Sequence, residues 1–163
     1  MPAPIPLSRF LAPDTRPPTS APALGALPVD AAELSGLRYD APPGYVVREL
    51  RGSKMRTTAG VFDEFAAAFQ FPYYFGENKD AFDECLRDLG EFVGDAPGYV
   101  AVVRDSAELL AAEPREREWF TGAIADCAGY WARHGVSFRV VLQGQAPSAP
   151  ASEAARVVRL SPG

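Results

Sequence analysis

The sequence predicts an α/β fold: a small, mostly parallel three-stranded sheet packed with helices. Three observations carry this expectation. Short runs rich in strand formers, Tyr45 to Leu50, Tyr99 to Val103 and Phe138 to Leu142, are separated by stretches with helical periodicity. The middle run, Tyr-Val-Ala-Val-Val, is apolar on both alternating faces, as a parallel strand covered by helices should be. A chain of 163 residues with 47% hydrophobic content can bury one sizeable core, and the sequence shows no second one.

Residues 1–44 hold ten of the sixteen prolines, which break long helices and central strands, so this segment reads as a largely irregular N-terminal extension. A short helix is expected within Leu24 to Leu37, with Asp30 as N-cap before Ala31 to Leu34. The domain itself is expected over 45–142, and to fold without residues 1–40. Tyr45 to Leu50 follows the breaker Pro42-Pro43-Gly44 as the first strand. Thr57 or Thr58 caps a helix running to Phe69, whose Phe62, Phe65, Ala66 and Phe69 repeat at helical spacing and belong to the core.

Next comes a loop and a helix, Phe71 to Leu89. Pro72 cannot continue the preceding helix, Gly76 permits a backbone angle other residues avoid, and Asn78 is a good N-cap. From Lys79 onward Phe82, Cys85, Leu86 and Leu89 form one apolar stripe, leaving Asp80, Asp83, Glu84, Arg87 and Asp88 for the other faces. The loop carries three consecutive aromatics, Tyr73, Tyr74 and Phe75, and a short loop rarely buries three rings. At least one tyrosine should be exposed. Rigid aromatics beside fixed charges have the composition of a protein-binding hot spot. The alternative is a solvated helix with pairs at i, i+4 from Lys79 to Asp83 and Asp83 to Arg87.

Beyond Gly94, Pro97 and Gly98 lies the second strand, then a weaker helical piece over Ser106 to Ala112 stopped before Pro114. A long helix follows over Glu116 to Arg133, with Trp119, Phe120, Ala123, Cys127, Tyr130 and Trp131 as candidate buried positions and Gly135 at its end. Phe138 to Leu142 is the third strand. Residues 143–163 read as a flexible tail in which Arg156 to Leu160 can add an edge strand.

The formal net charge of −5 argues against nucleic acid as a partner, because phosphate binding needs a basic footprint. Between Asp63 and Asp95 nine acids face two bases, a local net of −7 that would steer a cationic protein partner. Two cysteines, Cys85 and Cys127, give no disulfide framework and read as buried thiols. No signal segment or membrane-length apolar run is present, so the expected location is the cytoplasm, with no membrane partner. The sole histidine, His134, is expected to interact with the C-terminal end of the long helix. No metal, cofactor, nucleophile-elbow or phosphate-loop motif is found, and neighbouring carboxylates on one helix do not face each other across a cleft as acid/base catalysis requires. No cofactor and no enzyme activity are expected.

The loop and helix resemble the signature of the barstar family, intracellular inhibitors of secreted ribonucleases. Pro72, Tyr74, Gly76, Glu77, Asn78, Asp80, Ala81, Cys85 and Leu86 match without a gap a family pattern Pro-x-Tyr-(Tyr/Phe)-Gly-x-Asn-x-Asp-Ala-Leu-x-Asp-Cys-Leu. A looser similarity covers Tyr45 to Leu142. The resemblance implies a partner-binding surface of Tyr73, Tyr74, Gly76, Asn78, Asp80, Asp83 and Glu84, which would plug the active site of a small basic microbial ribonuclease. The free protein is expected to be a monomer. Glu84 stands at the family's principal aspartate position, and Asp83 stands where a tryptophan can occur. Tyr130 takes a position that carries an additional acidic contact in some members, and Val136 that of the family's second cysteine. The alternative function is an acidic interaction module that docks a different basic partner without inhibiting a ribonuclease.

Overall fold

The computed structural model describes residues 3–13, 22–37, 41–72, 74–144 and 157–162. Among them run β1 (Ile5–Pro6), α1 (Leu7–Leu11), β2 (Leu24–Leu27), α2 (Ala31–Leu37), β3 (Val46–Arg51) and α3 (Thr58–Phe69). There follow α4 (Lys79–Arg87), α5 (Leu89–Phe92), β4 (Gly98–Arg104), α6 (Arg117–Ala132), β5 (Ser137–Gln143) and β6 (Val157–Ser161). Short 3₁₀ turns at Gly52–Lys54, Ser106–Glu108 and Pro114–Glu116 connect them. The piece expected as a helix over Ser106 to Ala112 is one of these turns.

Among the described residues the sheet has six strands in the order β1-β6-β2-β5-β4-β3, not three. Every pairing is parallel. The three strands read from the sequence are the β3-β4-β5 half, and the additional ones come from the two ends of the chain. β2 lies inside the sheet, with Leu24 opposite Val140 of β5 and Val157 of β6. β6 is not an edge strand, because β1 pairs along its other side. Two of β2's four residues are Gly25 and Ala26, poor strand formers by themselves. Gly25 is required by packing, since a Cβ there would lie 2.5 Å from Leu160 Cδ1. The expected helix around Asp30 is present as α2, with Glu33 N donating to Asp30 Oδ1 at 2.8 Å.

Side chains leave the parallel strands alternately to either face, and both faces are covered. Tyr99, Ala101 and Val103 of β4 join Phe138, Val140 and Leu142 of β5 beneath the phenylalanines of α3 and the apolar stripes of α4 and α6. Val100, Val102 and Val141 point the other way, against Leu7, Phe10 and Leu11 of α1, Leu34 of α2 and Leu160. There are therefore two apolar clusters where the sequence showed one. The second is assembled from leucines scattered through the proline-rich stretch, which carries no long periodic run to announce it. At the carboxyl ends of the strands Gln143, 4% exposed, joins three segments. Its Oε1 accepts from Asp105 N at 2.9 Å and its Nε2 donates to Val29 O at 2.6 Å. Cys85 and Cys127 are free thiols, both buried, and burial raises the pKa of each.

Candidate functional site

α3 ends at Phe69 with Gln70 in the left-handed region (φ 57°), which turns the chain toward the loop. Phe75 N then donates to Pro72 O at 2.9 Å, closing a turn that divides the aromatics. Phe75 goes inward, its ring edge-on to Phe62 at 5.9 Å and to Phe71 at 5.2 Å. Tyr74 goes outward, 69% exposed. Tyr73 lies outside the described residues. The positive φ expected of Gly76 falls instead on Glu77, at 51°. Gly76 is instead at a close approach: a Cβ would sit 3.1 Å from Asn78 Nδ2, which donates to Gly76 O at 3.3 Å.

Asn78 starts α4 as expected, its Oδ1 accepting from Ala81 N at 2.8 Å. One amide therefore ties the loop to the first turn of the helix. Phe82, Cys85, Leu86 and Leu89 are buried, but α4 stops at Arg87 and Leu89 opens a separate turn. The Leu86 carbonyl accepts from Trp131 Nε1 at 2.8 Å and from Cys127 Sγ at 3.6 Å, both on α6, and this coincides with the break.

The carboxylates of α4 have different surroundings. Asp80 and Glu84 are exposed, as are Arg87 and Asp88. Asp83 is half-buried, and its Oδ1 is shielded from solvent with no hydrogen-bond partner among the described residues. Burial raises its pKa, Arg87 opposes the rise, and Asp126 of α6 and Asp80 add to it. Lys79 does not supply the expected i, i+4 pair: its Nζ is 2.6 Å from Glu116 Oε2 and 5.2 Å from the centroid of the Trp119 ring. Both of those residues lie at the start of α6.

One acid counted in the local charge is not part of this face. Glu64, on α3 and 9% exposed, accepts from Arg51 N at 3.0 Å and from Arg51 Nη2 at 2.6 Å. Burial pulls its pKa up, but the hydrogen bonds and charge of Arg51 win and hold it below the ordinary value. At the far end of α6, His134 Nδ1 lies 2.8 Å from Tyr130 O, the helix-terminal interaction expected of it. Tyr130 is half-buried, with its ring 4.5 Å from His134 and 5.4 Å from Trp131.

Sequence reading missed the contribution of α6. Trp119 was recognisable as a packing position, but nothing in a linear pattern links Lys79 to Glu116.

The family model described as Barstar (barnase inhibitor) matches residues 45–143. The chain belongs to the barstar family. No curated protein matches it. The matched stretch runs from the residue before β3 to the end of β5 and contains the whole loop and α4. Barstar-family proteins are inhibitors rather than enzymes, so membership points to a barnase-inhibitor-like role with a ribonuclease as the general class of partner. Among the described residues no helix is long and apolar enough to cross a membrane.

Proposed function

We propose that this barstar-family protein inhibits a small, basic, secreted ribonuclease by covering its active site with the loop and α4, through Tyr73, Tyr74, Gly76, Asn78, Asp80, Asp83 and Glu84. The observation that carries the reading is an exposed Tyr74 in the loop that leads into a helix bearing the exposed Asp80 and Glu84, with the start of that helix fixed by the Asn78 cap. A ribonuclease holds RNA phosphate with cationic side chains, and fixed carboxylates on a rigid face meet the same groups. The partly buried Phe75 and the buried Phe82 anchor that face on the core, so little ordering is left to be done on binding.

The inhibitor would act from the cytoplasm as a monomer, binding one to one. Asp83, a half-buried carboxylate at a position where relatives can carry tryptophan, supports a second reading: the same acidic face docks a basic partner of another type. Titration of the protein into RNA-cleavage assays with a panel of small secreted ribonucleases distinguishes the two. The inhibitor reading expects stoichiometric loss of cleavage for at least one basic enzyme. Absence of inhibition across the panel would leave the interaction-module reading.

A further inference from the structure

Resting on the reading of α4 as the inhibitory face, we propose that Glu116 is a positioning residue that draws Lys79 off that face, so that the lysine does not compete with a cation of the partner for Asp80 and Asp83. Lys79 is the lysine of the signature stretch, and as the first residue of α4 it stands one helical turn before Asp83, within i, i+4 reach. A lysine at a helix N-terminus is opposed by the macrodipole, so its ammonium gains from an anion supplied by another element.

Glu116 supplies it. It closes the 3₁₀ turn that begins at Pro114, whose ring fixes the local backbone. Its Oε2 is shielded from solvent and lies 2.6 Å from Lys79 Nζ, an ionic contact rather than a well-aligned hydrogen bond. Trp119 forms the floor under the ammonium at 5.2 Å, a cation–π distance. That indole is itself held by Phe62 at 5.9 Å and Phe82 at 5.5 Å. The lysine, about half exposed, is thus held at the start of α6 by two contacts. The charged groups acting on Asp83 include Arg87 and Asp80 of its own helix and Asp126 of α6, while the Lys79 ammonium lies on Glu116. Without Glu116 the ammonium would swing to the nearest carboxylate at i, i+4 and compete with the partner's cation.

Glu116 in this role differs from an ordinary structural clamp. If the ion pair merely stiffened the α4–α6 contact, removing either partner would have the same effect. If Glu116 withholds Lys79, the two removals act in opposite directions.

The test uses the full chain, with two measurements on Glu116→Gln, Lys79→Gln, the double variant and Glu118→Gln. Glu118 is an exposed acid in the first turn of α6 and controls for the loss of one negative charge. The first measurement is the NMR titration of the Asp83 carboxyl in the free protein. The second is association with an inhibited basic ribonuclease from the panel. Glu116→Gln should lower the Asp83 midpoint and weaken binding by about two- to fivefold beyond the Glu118→Gln control, and adding Lys79→Gln should reverse both effects. Lys79→Gln alone should bind as tightly as the parent or tighter. An unmoved Asp83 midpoint in Glu116→Gln, or weaker binding by Lys79→Gln alone, overturns the proposal. If no ribonuclease is inhibited, the functional reading fails on its own, and the Asp83 titration of the free protein still decides whether Glu116 withholds Lys79.

Discussion

Asp83 is the residue at which stability and binding pull in opposite directions. Its pKa is raised by burial and by neighbouring acids, so the folded state disfavours the ionised carboxyl. The sign follows from linkage: the penalty is absent below the ordinary aspartate value, where both states are protonated. It grows as pH rises through the interval up to the folded value, and persists at neutral pH. Asp83→Asn should therefore raise the thermal midpoint of the free protein at neutral pH, with the gain vanishing in acid. It should also weaken the proposed inhibition, because a partner cation would lose its carboxylate. Unfolding followed at two pH values checks the first half, and inhibition of RNA cleavage the second. Glu64 has the opposite sign. Its folded pKa is lowered by Arg51, so its stabilisation is full above the ordinary glutamate value and is lost as pH falls through the folded one. Glu64→Gln should destabilise the protein at neutral pH and flatten the acid side of its pH–stability curve.

The loop and α4 work as one element because a single amide spans their junction. Removing an N-cap of this kind costs about 1 kcal/mol. Asn78→Ala should lower stability by that amount in denaturant unfolding, and should speed dissociation of a bound ribonuclease more than a surface substitution of equal cost, since it also releases Gly76 O. The start of α4 was legible in the sequence because capping and apolar periodicity are local. Its end was not, because the Leu86 carbonyl is taken by Trp131 and Cys127 from α6, a contact with no local signature. The same limit hid Glu116 as the partner of Lys79. Of the three loop aromatics, at least one tyrosine was expected to be exposed, and the structure has Tyr74 outside and Phe75 turned toward the core.

Across the whole molecule, the half-sheet β3-β4-β5 with α3, α4 and α6 was readable from dense strand formers and helical phenylalanines. The other half was not, since Leu24-Gly25-Ala26-Leu27 becomes a strand only by pairing with β5 and β6 on either side. The sequence alone led to the expectation that the domain folds without residues 1–40, and the sheet register leads to the opposite one. Leu27 and Leu160 are fully buried, and neither lies within the matched 45–143 stretch. Leu27→Ala or Leu160→Ala should cost about 2 to 5 kcal/mol in global unfolding, as cavity-forming core substitutions do. A change confined to the ends, with the main transition unmoved, would instead mark them as an appendage. The central claim is that this two-cluster scaffold holds one acidic, aromatic face as an active-site plug. Its most direct test is inhibition kinetics against a basic secreted ribonuclease with Asp80→Ala, Glu84→Ala and Glu91→Ala beside the parent. Stranding a paired charge at an interface centre costs about 2 to 5 kcal/mol and acts on dissociation, while rim charges act on association; the barnase–barstar pair is among the systems behind those figures. The account predicts a large rise in dissociation rate for Asp80→Ala and Glu84→Ala, a small effect for Glu91→Ala, and slower association with added salt for all. Equal behaviour of the three variants, or no inhibition by the parent, would contradict it.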